Sequence, residues 1–264
     1  MNISVLFRGI SYVTPGLPEH SKLINPCTNA PYGKIDVDFF NGPYDSYIEK
    51  IKEPLEAAGH KVTTYLSTYN SKKFDSIKNV LNPESFILID PDSTGPSGQP
   101  LTVREGLKLI KPCDFVLVAR FDVLYKMKIT EMNFDFKKIN FLWREEAHWD
   151  TFGHVGDLFF GYPFKHNNDF IGACDDIIAS RNLKTSNDFH YIYRSVINNI
   201  QIRNGCTPWQ ATDGWPWLGT YGPPLDTGGF NLEKNINFCI DVKHKTAPYA
   251  NNPFLTVIRD KIDK

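Results

Sequence analysis

Four short apolar runs, spaced by segments of helical periodicity, limit what this chain can fold into more than any other feature. They cover residues 3–7, 62–66, 86–89 and 115–119. A strand that is apolar at successive positions, and not merely at alternate ones, is covered on both faces, as in a parallel sheet flanked by helices. Between the first two runs, Ser46-Tyr47-Ile48-Glu49 has the form of a capping box. After it come Ile48, Ile51, Leu55 and Ala58 at helical spacing and Gly59 as a stop, with Pro54 expected to bend the helix. Further helices are expected over residues 72–81 and 102–111, the latter with Val103, Leu107 and Ile110 on one face and Pro112 as its stop. Strand and helix in alternation predict an α/β fold: a single domain over 1–264 with an open, mainly parallel, Rossmann-like sheet. Runs 3–7 and 115–119 are expected to be interior strands, and ligands belong at the carboxyl ends of the strands.

The second half reads differently. Strands are expected over 140–143 and 157–160, helices over 169–180 and 186–200, and a last strand over 236–242 before an irregular tail. The stretch 201–230 is rich in Gly, Pro and Trp; an irregular segment of that length in a compact domain is usually either functional or disordered, and Trp209, Trp215, Trp217 and Tyr221 speak against disorder. The chain thus divides into a ligand-binding half, 1–125, and a second half with its tail, 126–264.

With 264 residues and a formal charge of −1, the chain can bury a core of its own, and it lacks the clustered cations that neutralising nucleic-acid phosphates requires. No basic leader or cleavage site precedes the first apolar run, and no apolar stretch reaches the roughly eighteen residues of a membrane span. A cytoplasmic protein is expected, with membrane contact at most peripheral. Five scattered cysteines, Cys27, Cys113, Cys174, Cys206 and Cys239, form no C-x-x-C pair and read as reduced, buried apolar residues.

Chemistry concentrates after the run 115–119, which ends in Arg120-Phe121-Asp122. A carboxylate and a guanidinium at a strand's carboxyl end stand where such sheets bind ligands. Asp122 can supply an oxygen to a hard cation such as Mn²⁺ or Mg²⁺, and Arg120 can pair with a phosphate or with Asp122 itself. A plain structural ion pair is the alternative. Asp90-Pro91-Asp92, after the run 86–89, is a rival metal site that reads equally well as turn chemistry. Arg8-Gly9, ending the first run, is expected on a nucleotide-binding rim, with Gly9 permitting the turn.

The helix carrying Arg104, Gly106 and Leu107, the strand from Asp114 to Ala119 and then Arg120-Phe121-Asp122 together resemble the Asp-x-Asp region of GT-A-type glycosyltransferases. The likeness is strongest to the divergent forms of bacterial polysaccharide and large-virus glycan synthesis, where Arg-x-Asp stands in its place. Trp143-Arg144-Glu145-Glu146 and the segment from Val155 to Phe160 resemble segments that lie beyond the motif in such enzymes. The resemblance spans about residues 1 to 165. It implies a GT-A-like fold and transfer of a sugar from a nucleotide-sugar donor to a glycan acceptor, with Mn²⁺ or Mg²⁺ bound by Asp122. Arg120 replaces the Asp that usually meets the ribose, and Arg104 joins the donor site.

Transfer with inversion needs a base for the acceptor hydroxyl. Asp157, after Gly156 and before the aromatic run, is the first candidate, and Asp213 in Ala211-Thr212-Asp213-Gly214-Trp215 the second. The resemblance further implies a histidine near the C-terminus as metal ligand, which points to His244, with Lys243 against the diphosphate. Trp215 and Trp217 flank Pro216 and are expected to stack on the acceptor sugar, or else to fill the core. Two other functions stay open: a noncatalytic carbohydrate-binding module and, less favoured, a glycoside hydrolase, which requires two suitably spaced carboxylates.

Overall fold

The computed structural model describes residues 1–13, 37–90, 98–143, 155–182, 189, 192–204, 232–239 and 255–257. Its centre is a seven-stranded mixed sheet. In chain order its strands are β1 (Asn2–Gly9), β4 (Lys61–Tyr69), β5 (Ser85–Ile89), β6 (Phe115–Arg120), β8 (Ile139–Phe141), β9 (Phe159–Pro163) and β10 (Ile236–Phe238). Spatially they lie β10-β8-β9-β6-β1-β4-β5. All pairs are parallel except those of β9, which runs antiparallel to β6 and β8. Two small antiparallel ribbons complete the strands: β2 (Tyr12–Val13) with β3 (Val37–Asp38), and β7 (Val123–Tyr125) with β11 (Leu255–Val257).

Side-chain alternation sorts the sheet's residues onto two helical layers. Ile3, Val5 and Phe7 of β1 join Phe115, Leu117 and Ala119 of β6 in one core. Against them pack the helix of residues 41–57 and α3 (Phe74–Leu81). Leu6, Val116 and Val118 face the opposite way, into a second core with α4 (Gly98–Leu109), α5 (Asn167–Asn182) and α6 (Ile192–Arg203). A further short helix, α7 (Leu232–Asn235), leads into β10. Both β1 and β6 are interior strands, as their continuous apolar runs predict. Gly106 of α4 makes the close helix-to-sheet contact possible, because a Cβ there would lie 2.5 Å from Leu6 Cδ1 and 2.9 Å from Ser67 Cβ.

Four expectations change. The run 86–89 is an edge strand and not a doubly covered one: Phe86 and Leu88 are 37% and 39% exposed. The first helix begins at Asn41, so Ser46 caps nothing; its Oγ donates to Pro43 O at 2.8 Å and accepts from Tyr125 N at 2.9 Å. Pro54 does not simply bend this helix. α1 (Asn41–Tyr47) passes through a π-helical turn (Ile48–Lys52), with Glu53 N donating five residues back to Ile48 O, before α2 (Glu53–Ala57). Widening the turn relieves the clash between the proline ring and the carbonyl of the preceding turn. The expected last strand is formed over Ile236–Phe238, its predicted end lying outside the described residues. The tail, read as irregular, contributes β11.

Candidate functional site

Parallel register sets the geometry. Arg8 of β1 stands directly opposite Arg120 of β6, at the carboxyl ends of two neighbouring interior strands. Both fall on the alternation that faces the second helical layer, so two guanidiniums come side by side in a buried place. Their side chains are 3% and 8% exposed. Like charges there are costly unless carboxylates are brought to them.

The chain brings two. Asp122 comes after β6 with one intervening residue and takes a bidentate pair from Arg120: Nε to Oδ1 at 2.8 Å and Nη2 to Oδ2 at 2.5 Å. Asp157 arrives because β9 is antiparallel, which puts its entrance beside the exit of β6. Arg8 Nη2 donates to the Asp157 carbonyl at 2.9 Å and to Oδ2 at 3.2 Å, and Arg120 Nη1 lies 3.7 Å from the same Oδ2. Gln99, in the first turn of α4, donates its Nε2 to Oδ2 as well. Gly156 sets the approach: its N donates to Trp143 O, and a Cβ there would lie 2.8 Å from the indole.

Beneath the cluster, the Phe189 ring centre lies 5.2 Å from Arg8 Cζ, a cation–π contact. Burial pushes the Arg8 guanidinium down to about 10, Asp157 pulls it back up, and the Arg120 charge lowers it further. It stays cationic at neutral pH. Arg8 Nε is buried with no hydrogen-bond acceptor. On the other face of the sheet, the buried Tyr125 hydroxyl is raised well above its ordinary range, first by burial and then by the Asp122 charge.

Five of the sequence-chosen residues therefore meet at one sheet edge: Arg8, Gly9, Arg120, Asp122 and Asp157. Gly9 has φ +98°, the conformation expected of it, and its carbonyl accepts from Thr68 Oγ1 at 2.8 Å. Arg104 is placed elsewhere. Its Nε pairs with Glu105 at 2.6 Å and its Nη1 with Asp175 of α5 at 2.8 Å, so it ties two helices together. Asp157 differs from a base on a pocket wall, since it is 1% exposed and anchors two guanidiniums. Asp90 is exposed after the edge strand β5, two strands away from β1. Asp92, Asp213, Trp215, Trp217, Lys243 and His244 lie outside the described residues.

Sequence reasoning missed Gln99 and Phe189. Gln99 is signalled only by its place in the opening turn of a helix that succeeds a strand of this kind of sheet; Phe189 carries no sequence signal. Asp122 does not fit a dication in this arrangement. Both Asp122 oxygens are occupied by Arg120, and among the described residues no three His, Cys, Asp or Glu side chains converge as a hard cation requires. Among the described residues no helix is long and apolar enough to cross a membrane. No family model matches the chain, and no curated protein matches it.

Proposed function

We propose that the protein is a glycosyltransferase that binds a nucleotide-sugar donor at the carboxyl edge of β1 and β6. The observation that carries the reading is the in-register pair Arg8 and Arg120, with Arg8 Nε buried and lacking an acceptor. A ligand that accepts from Arg8 Nε would meet the need of this buried charged donor. A diphosphate is such an acceptor, matched to guanidinium forks. Gln99, in the first turn of α4, places a further side-chain donor on the same side through its bond to Asp157.

In this reading the acceptor hydroxyl oxygen bonds to the anomeric carbon as the bond from that carbon to the diphosphate oxygen breaks. The nucleoside diphosphate leaves with the electron pair, and the guanidiniums stabilise the charge it gains. The hydroxyl proton passes to a base; with Asp157 committed to Arg8, Asp213 is the remaining candidate from the sequence. Trp215 and Trp217 serve the acceptor sugar. A noncatalytic carbohydrate-binding protein is favoured by one observation, the zero net charge of the cluster, two arginines against two aspartates. A thermal-shift screen of nucleoside diphosphates and nucleotide sugars separates the two. A true donor at a hundred times its Kd stabilises by about 2.7 kcal/mol, and silence across the panel leaves the binding-module reading.

A further inference from the structure

Accepting the donor reading above, we infer that this chain holds the donor's diphosphate with Arg8 and Arg120 in place of a divalent metal, and that Asp122 and Asp157 are positioning residues for those two guanidiniums. Four observations converge on it. Asp122 spends both oxygens on a bidentate pair with Arg120. Asp157 gives its Oδ2 to Arg8 and Gln99 and lies within ion-pair distance of Arg120. A dication reaching Asp122 would have to displace that pair and then sit within a few ångströms of two further positive charges, a strongly repulsive arrangement where solvent is scarce. Finally, Arg8 presents a buried Nε–H that no protein group accepts, an unmet need that a phosphate oxygen would fill.

The carboxylates then have a defined task. Each fixes the position of a guanidinium: Asp122 takes Nε and Nη2 of Arg120, and Asp157 takes Nη2 of Arg8. Holding the donors in place beforehand removes the reorganisation that a flexible lysine would require when charge develops on the departing diphosphate. A metal would meet the same charge, but the space next to Asp122 is already filled by Arg120.

The test is a titration of the full chain with UDP, GDP, ADP, CDP and dTDP, read by calorimetry, once in excess EDTA and once in Mn²⁺. The expected result is that whichever nucleotide binds does so with the same affinity in both arms, within about twofold. Arg8→Gln and Arg120→Gln are each expected to weaken it roughly ten- to a hundredfold, as loss of a charge-assisted hydrogen bond does. Arg120→Lys, which keeps the charge and loses the fork, falls between. Binding that EDTA abolishes and Mn²⁺ restores overturns the inference and leaves the donor reading standing. Absence of binding in both arms removes the donor reading and this inference with it. Should a glutamine variant fail to fold, the comparison of EDTA with Mn²⁺ on the unsubstituted protein still decides.

Discussion

Two guanidiniums on neighbouring strands repel each other, and Asp157 relieves that repulsion from a position 3.2 Å from one and 3.7 Å from the other. Removing a carboxylate from such a site leaves buried charge uncompensated, which costs far more than the pair's net worth. Asp157→Ala is therefore expected to destabilise the fold by about 3 to 5 kcal/mol in urea denaturation. Gln99→Ala, which removes one neighbouring hydrogen bond, should cost closer to about 1 kcal/mol. Equal losses would show that Asp157 has no special electrostatic duty. A second residue-scale expectation concerns Gly106. The Cβ of Gly106→Ala meets Leu6 at 2.5 Å and Ser67 at 2.9 Å, so α4 must shift outward, at about 1 to 3 kcal/mol. Gly59→Ala is the control: no atom lies within 4 Å of its Cβ, and its cost comes from φ +81° alone.

Among the elements, β11 has the most specific consequence, because its partner β7 begins one residue after Asp122. Truncation after residue 254 removes that partner, and amide exchange at residues 123–125 should then quicken, while protection of β1 and β6 persists. Unchanged exchange at 123–125 would mean β7 is held by Ser46 and its apolar contacts without β11. This pairing was not legible in the sequence, since Leu255-Thr256-Val257 is too short to carry periodicity and its partner lies far back in the chain. The capping-box pattern at Ser46 misled for a different reason. Its hydroxyl is used for a tertiary contact to Tyr125 N, which no local pattern encodes. β1 and β6 were legible because doubly covered strands leave a continuous apolar signature. β5 carried the same signature although it forms the edge, so composition alone does not rank strands within a sheet.

At the scale of the whole molecule, the order of strands makes a contrast that stability measurements can check. Leu117 is fully buried at the centre, and Leu88 is 39% exposed on the edge strand. Leu117→Ala should cost about 2 to 5 kcal/mol, and Leu88→Ala under about 1 kcal/mol. Comparable losses would contradict the strand order. The sequence supplied Arg8, Arg120, Asp122 and Asp157 as separate candidates, each from its position beside an apolar run. Their meeting was not legible, since it depends on register between β1 and β6 and on the reversal of β9, both set by packing across the sheet. That reversal also bears on how the protein is made. A chain emerging from the ribosome completes β1, β4, β5 and β6, with both arginines and Asp122, a few seconds before Asp157 is synthesised. Until then Arg8 lacks its carboxylate and the β6 edge lacks β9. The nascent N-terminal half thus carries an unsatisfied charge and an open strand edge together, and it becomes a finished sheet only when the later half arrives to close both.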